Sequence, residues 1–151
     1  MKKITYILIV FIMLITLSGC KDKVETLTCT ADTKGNNMNA ASSVTYTFKN
    51  DKVSTAKIEA VFKDITVDNL DKLWPTFKNQ FESQNMPVEE EGFKRTVKAD
   101  DEKYTFTVLI DIDYNKISDE TKKKYEVEDF KAKSLKDIKK IATEDDGMTC
   151  K

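Results

Sequence analysis

The residues of this chain that could carry chemistry are few. There are three cysteines, Cys20, Cys29 and Cys150, and no histidine among 151 residues. A cysteine thiolate can act as a nucleophile, a metal ligand or a disulfide partner. Without histidine, Ser-His and Cys-His catalysis and the His-based zinc sites are excluded. With only four glycines, the chain also lacks a glycine-rich phosphate loop. We therefore predict no cofactor.

Alternating carboxylates at residues 111–115 give the one metal-like pattern. The sequence Asp-Ile-Asp-Tyr-Asn, followed by Asp119, is similar to the start of a calcium loop, in which oxygen ligands alternate. Lys116 stands where such a loop needs glycine, and Lys122 stands where a bidentate glutamate should close it. Outward-facing positions of a strand explain the aspartates more simply. We predict no metal site.

Two runs of acidic residues offer the alternative of a hydrolase. They are Glu89-Glu90-Glu91 and Asp100-Asp101-Glu102. Carboxylate pairs can cleave glycosidic bonds when their separation is defined and one pKa is raised. Runs at exposed turns favour solubility and protection of a sheet edge instead. The chain is therefore predicted not to be an enzyme, and a carboxylate-dependent envelope hydrolase stays as an alternative.

The N-terminus has the layout of a secretory signal. Lys2 and Lys3 precede an apolar run over residues 4–17, and Ser18-Gly19 lead into Cys20. This ending resembles the lipobox of bacterial lipoproteins. The resemblance implies that residues 1–19 are a signal peptide and that Cys20 carries acyl chains such as palmitate. An uncleaved signal anchor and ordinary secretion with a free Cys20 are the alternatives.

The position of the anchor predicts where the protein works. Residues 20–23 would form the lipidated cysteine and a short tether, and residues 24–151 a single domain. Three extended residues reach only about 10 Å, so the domain should lie close to the bilayer. We expect the protein to lie on the extracytoplasmic face of the cell membrane and to have the membrane as its partner through the attached lipid.

After acylation of Cys20, an even pair of cysteines remains. Cys29 and Cys150 lie at opposite ends of the mature chain, in an oxidising compartment. We predict a disulfide between them that ties the first strand to the C-terminus. Two buried free thiols, or a redox-active pair, are the alternatives.

Hydrophobic periodicity predicts the fold class. Strands are expected at residues 24–30, 44–49, 53–63, 93–97 and 104–114, because apolar residues alternate there. Val53 is out of phase with its strand, which indicates a bulge near Ser54. Apolar residues then recur at helical spacing between Leu70 and Phe81, which predicts a helix there. Ser134 begins a capping box, which predicts the start of a second helix. The order predicts an α+β domain with an antiparallel sheet of about five strands and helices packed on one face.

Charge argues against nucleic acid as a partner. Without residues 1–19 the chain has three more acidic than basic side chains, whereas nucleic-acid binding needs a strongly basic face. Lysines are concentrated between residues 116 and 140. They indicate either a solvated face or a docking surface for anionic lipid headgroups.

Three segments resemble the YehR-like family of small bacterial lipoproteins. They are Leu17-Ser18-Gly19-Cys20, the hairpin at residues 44–53, and the strand at residues 104–113. The resemblance implies an α+β lipoprotein of uncharacterised function and transfers no catalytic residue. We expect a binding or accessory role with an envelope protein as partner. The alternative is a small-ligand carrier with an apolar pocket under the helix that contains Trp74 and Phe81.

Overall fold

The computed structural model describes residues 22–151. The predicted signal peptide and Cys20 lie outside the described residues. No helix within the described part has the length and apolar character needed to cross a bilayer. The elements in chain order are β1 (Val24–Lys34), β2 (Asn39–Lys49), β3 (Lys52–Lys63), α1 (Leu70–Gln84), β4 (Val88–Glu90), β5 (Phe93–Asp100), β6 (Thr105–Asp113), α2 (Asp119–Lys124), α3 (Leu135–Lys140), a π-helical turn (Ile141–Asp145) and β7 (Thr149–Cys150).

The described strands form one antiparallel sheet in the order β4-β5-β6-β3-β2-β1-β7. The β2–β3 hairpin turns at Asn50 and Asp51, which both have positive φ (53° and 60°). That is the backbone of a type I′ turn, which asparagine and aspartate tolerate. The register shifts after Thr47, so that Ser54 is the extra residue on β3. The predicted bulge is confirmed.

One face of the sheet is apolar because the alternating residues of all five longer strands are in register. Leu27, Tyr46, Ala56, Ile112 and Phe93 follow one another across β1, β2, β3, β6 and β5, and all are buried. The opposite face carries threonines and charged residues and has no element covering it within residues 22–151. The antiparallel sheet is therefore two-sided, with its core on one face.

The prediction of about five strands was too low, because β4 and β7 are edge strands of three and two residues. Such short segments carry too few residues to show alternation. β7 pairs with β1 only at Cys29 and Thr30.

The prediction of helices packed on one face was wrong, because the sheet is not covered by a helical layer. Among the helices of residues 22–151 only α1 is long, with 15 residues, and it lies at one end of the sheet, where Phe81 stacks on Phe106. The other end is covered by α2 and α3, of six residues each, and by irregular chain between them. The α+β class remains a fair description of this arrangement.

Candidate functional site

The structure joins Cys29 and Cys150 in a disulfide. Cys29 is fully buried on β1, directly opposite Cys150 on β7. The backbones of Thr28 and Lys151 add two further hydrogen bonds beside the disulfide, of 3.1 and 2.9 Å. Neither sulfur is therefore a free thiol available as a nucleophile.

Cys20 lies outside the described residues, but the chain just after it is held firmly. The Lys23 carbonyl accepts a hydrogen bond of 2.9 Å from the backbone N–H of Asn50. Asp22 pairs with Lys49 at 2.6 Å and accepts a bond from the Asn50 side chain at 3.0 Å. The pair with Lys49 holds the pKa of Asp22 below its usual range. The tether is thus fixed to the β2–β3 turn from its second residue after Cys20.

The calcium-like residues are not brought together. Asp111 lies on the exposed face of β6 with Lys57 at 3.6 Å, and Asp113 pairs with Lys116 at 3.7 Å. Asp119 lies on α2 beside Lys122. No cluster of three potential metal ligands occurs among residues 22–151.

The two acidic runs hold helices to the sheet. Glu90 accepts hydrogen bonds from Lys124 and the Tyr125 hydroxyl, both at 2.7 Å, and from Thr121 at 3.2 Å. The bond from Lys124, followed by that from Tyr125, lowers the pKa of Glu90. Asp101 accepts the Trp74 indole N–H at 2.8 Å, which lowers its pKa together with Lys78. These carboxylates have structural partners and do not converge as a catalytic pair would.

A concave pocket opens between the apolar face of the sheet and residues 125–130. It encloses about 270 Å³. We call it the tyrosine pocket, after its aromatic wall of Tyr46, Phe93, Tyr114, Tyr125 and Phe130, and Arg95, Glu126 and Glu128 also line it. Its volume lies just below the usual range for small-molecule sites.

Two tyrosine hydroxyls in this pocket have no partner within the described chain. The side chains of Tyr46 and Tyr114 are only 8% and 3% exposed. No polar side-chain atom of residues 22–151 is both fully enclosed and unpaired, so both hydroxyls keep some exposure, and both residues line the pocket. Burial raises the pKa of each phenol. Both are therefore neutral at physiological pH and can donate as well as accept a hydrogen bond.

The walls of the tyrosine pocket are preorganised by aromatic contacts. Phe130 meets Tyr46 edge to face, with ring centroids 6.0 Å apart. Tyr125 stacks on Phe93 at 4.6 Å. The guanidinium of Arg95 lies 5.9 Å from the Tyr125 ring, and its Nε donates to the Met86 carbonyl. These contacts fix the rings before any ligand arrives.

One backbone position at the pocket is unusual. Glu126, at the rim, has φ of 54° although it is not a glycine. Such left-handed residues cost free energy and are concentrated at functional sites. Glu126 follows Tyr125 directly in the chain. Its left-handed backbone directs the residues after it, which form the outer wall of the pocket.

A second groove of about 260 Å³ lies beside α1, where the alternative of a small-ligand carrier requires an apolar pocket. Phe77, Phe81 and Phe106 line it together with Met38, Ile65 and Val67. Trp74 does not line it, because its ring packs on Phe106 and Tyr104. The aromatic stripe is thus divided between the core and a surface groove.

The tyrosine pocket was missed at the level of sequence, since its walls come from segments far apart in the chain. A signal was nevertheless present. Alternation places Tyr46 and Tyr114 on the same face as buried aliphatic residues, where a phenol hydroxyl requires a partner or a cavity.

Comparison with known proteins gives relatives and a fold. No protein-family model matches the chain. An uncharacterised lipoprotein of Listeria innocua is 33% identical over 127 residues, which cover 82% of this chain and 76% of the relative. An uncharacterised lipoprotein of Listeria monocytogenes is 32% identical over 125 residues, which cover 80% of this chain and 74% of that relative. The NMR structure of a Streptococcus pneumoniae protein matches 87% of both chains with a TM-score of 0.54 and 14% identity, which shows a shared fold.

Proposed function

Because the chain belongs to the family of bacterial lipoproteins that includes the two Listeria relatives, we propose that it is a lipid-anchored, extracytoplasmic binding protein. We further propose that it is a YehR-like member of that group, which the lipobox and the two strand segments support. Its role is binding and not catalysis. In support, the chain has no histidine, and the acidic residues considered for catalysis have structural partners.

The anchor is the Cys20 thioether. Changing Cys20→Ala is expected to abolish incorporation of labelled palmitate, because the thiol that takes the acyl chains is gone. Labelling of producing cells and mass spectrometry of the N-terminus measure this. A variant that still takes up palmitate, or native protein with an unmodified thiol at position 20, would refute the anchor.

The ligand site is the tyrosine pocket, and the observation that carries it is the pair of unpartnered phenols facing one cavity. Because neither hydroxyl is fully enclosed, water can hydrogen-bond to both in the free protein, and a ligand that reproduces these bonds can replace it. Such a ligand hydrogen-bonds to both Tyr46 and Tyr114, while its apolar part is covered by Phe93 and Phe130. The expected ligand is a small organic molecule with one polar group and a compact apolar body.

Removing the phenol hydroxyls separates binding from folding. Tyr46→Phe with Tyr114→Phe should change the free energy of unfolding by less than about 1 kcal/mol, because no protein partner is lost. The native protein is tested by thermal shift against small molecules with one polar group and a compact apolar body, such as phenols, aliphatic alcohols and short-chain carboxylic acids. At least one compound should raise its melting temperature, and the double variant should lose that shift.

The matched control is Tyr104→Phe at the far end of the sheet. The Tyr104 hydroxyl donates to Asp71 at 2.7 Å outside the tyrosine pocket, so this variant should keep the full ligand shift. A shift that survives in the double variant would place the site elsewhere. If Phe77→Ala abolishes it instead, the α1 groove is the site and the alternative of an apolar-ligand carrier is favoured.

An envelope protein as partner belongs to the same proposal. The short tether supports it, because a domain held near the bilayer can reach other membrane-bound proteins. Crosslinking in intact membranes followed by affinity purification should recover one specific protein with the native chain. Repeated recovery of only abundant membrane proteins would argue against such a partner.

A further inference from the structure

Three segments of the chain meet where it would leave its anchor. They are residues 22–25, 49–52 and 131–137, and we call them together the lysine corner. The Val53 backbone N–H donates to the Lys133 carbonyl at 3.2 Å, and the Leu135 N–H donates to Asp51 at 3.2 Å. The tether joins the same turn through Lys23 and Asn50. This corner is therefore the part of the domain nearest to Cys20.

The carboxylates of the lysine corner are all occupied. There are four of them against six lysines. Their partners lie in the corner itself: Asp22 pairs with Lys49, Glu25 with Lys23, Asp51 accepts from Leu135, and Asp137 closes the capping box with Ser134. Asp22 and Glu25 are thus paired with lysines, whereas Asp51 and Asp137 bond to neutral donors and keep their charge, so the corner as a whole has two more lysines than carboxylates.

Four of the lysines are left without such a partner. Lys52, Lys131, Lys133 and Lys136 are exposed, and none forms an ion pair with any residue from 22 to 151. Glu126 and Glu128 belong to the mouth of the tyrosine pocket and lie outside the corner. The corner therefore presents uncompensated positive charge on the side from which the tether emerges.

The opposite end of the sheet has the reverse balance. The segments 34–39, 63–72 and 99–105 contain six carboxylates against four lysines. They are separated from the lysine corner by the 11 residues of β1, which span about 36 Å. A basic end next to the anchor and an acidic end far from it favour one orientation of the domain on a negatively charged surface.

We propose that the lysine corner binds the headgroups of anionic phospholipids and so orients the domain on the membrane. The proposal rests on the lipid anchor proposed above. Each lysine close to an anionic bilayer raises the partition coefficient by roughly fivefold. Phe130 of the tyrosine pocket is adjacent in sequence to Lys131 of the corner, so this orientation brings the pocket close to the headgroups.

The test uses the mature chain, residues 20–151, with Cys20→Ser, so that acyl chains do not mask the weaker attraction. It is sedimented with phosphatidylcholine vesicles and with vesicles containing about a third phosphatidylglycerol, at low salt and at about 0.2 M salt, where exposed charges are screened beyond roughly 7–8 Å. Binding is expected only to the anionic vesicles and only at low salt. K52E/K133E/K136E should lower the partition coefficient at least about tenfold.

The matched control is K34E/K63E/K72E, which changes the net charge equally at the far end. These lysines also form no ion pair within residues 22–151, and this variant should keep the partition coefficient within about threefold of the native chain. Thermal melts confirm that both variants fold. No binding of the native chain at low salt, or an equal loss in both variants, overturns the proposal. Palmitate labelling of Cys20 tests the anchor independently.

Discussion

Replacing Cys29 and Cys150 together with alanine is expected to lower the free energy of unfolding by about 4 kcal/mol. The disulfide spans 121 residues, and a crosslink of that length restricts the unfolded chain strongly in the loop-entropy account. It is also the main attachment of β7, which has only two residues. The melting temperature should fall by about 10 °C or more. Guanidinium unfolding of the native and double-alanine chains measures the difference.

Reduction of the native protein is the control for this prediction. Dithiothreitol should reproduce the loss seen in the double variant and leave that variant itself unchanged. Hydrogen exchange should show the amides of Thr28 and Lys151 opening first, since their mutual bonds lie beside the disulfide. A double variant that unfolds within about 1 kcal/mol of the oxidised native chain would mean that the sheet alone holds the terminus.

The parts of the fold that could be predicted are those decided by neighbours in sequence. The β2–β3 hairpin follows from alternation on both sides of a turn that tolerates positive φ, and Val53 revealed the bulge because one extra residue inverts the phase of a strand. The capping box at Ser134 was also predictable, since both of its partners lie within four residues. In each case the local pattern and the final contacts agree.

The parts that could not be predicted are decided by distant contacts. Residues 125–133 have no helical or strand pattern, and their position is set by Tyr125 stacking on Phe93 and by Phe130 against Tyr46. The tyrosine pocket exists because of that segment. For the same reason, the acidic run containing Glu90 looked like a solvated turn, although its carboxylate anchors α2.

The second large effect is expected at Phe106, where Phe106→Ala should cost about 4 kcal/mol of unfolding free energy. Its ring is 2% exposed and stacks on Trp74 at 4.6 Å and on Phe81 at 4.1 Å. The substitution removes both of these stacking contacts between α1 and the sheet. Their loss adds to the destabilisation that comes from losing the buried apolar area of the ring. Trp74 is the only tryptophan, so its fluorescence reports on this contact directly, and its emission should shift to longer wavelength in the folded variant.

Leu109→Ala is the matched control, because Leu109 lies on the same strand with its side chain on the opposite, uncovered face. It is partly exposed and should cost less than about 1 kcal/mol without changing the tryptophan emission. Equal losses from the two substitutions would mean that α1 contributes little to the core. A large loss at Phe106 with unchanged Trp74 emission would place the stabilising contacts within the sheet and not between the sheet and α1. A large loss of unfolding free energy together with the emission shift is the result expected if Phe106 holds α1 in place. That result would also predict collapse of the α1 groove, which Phe106 lines.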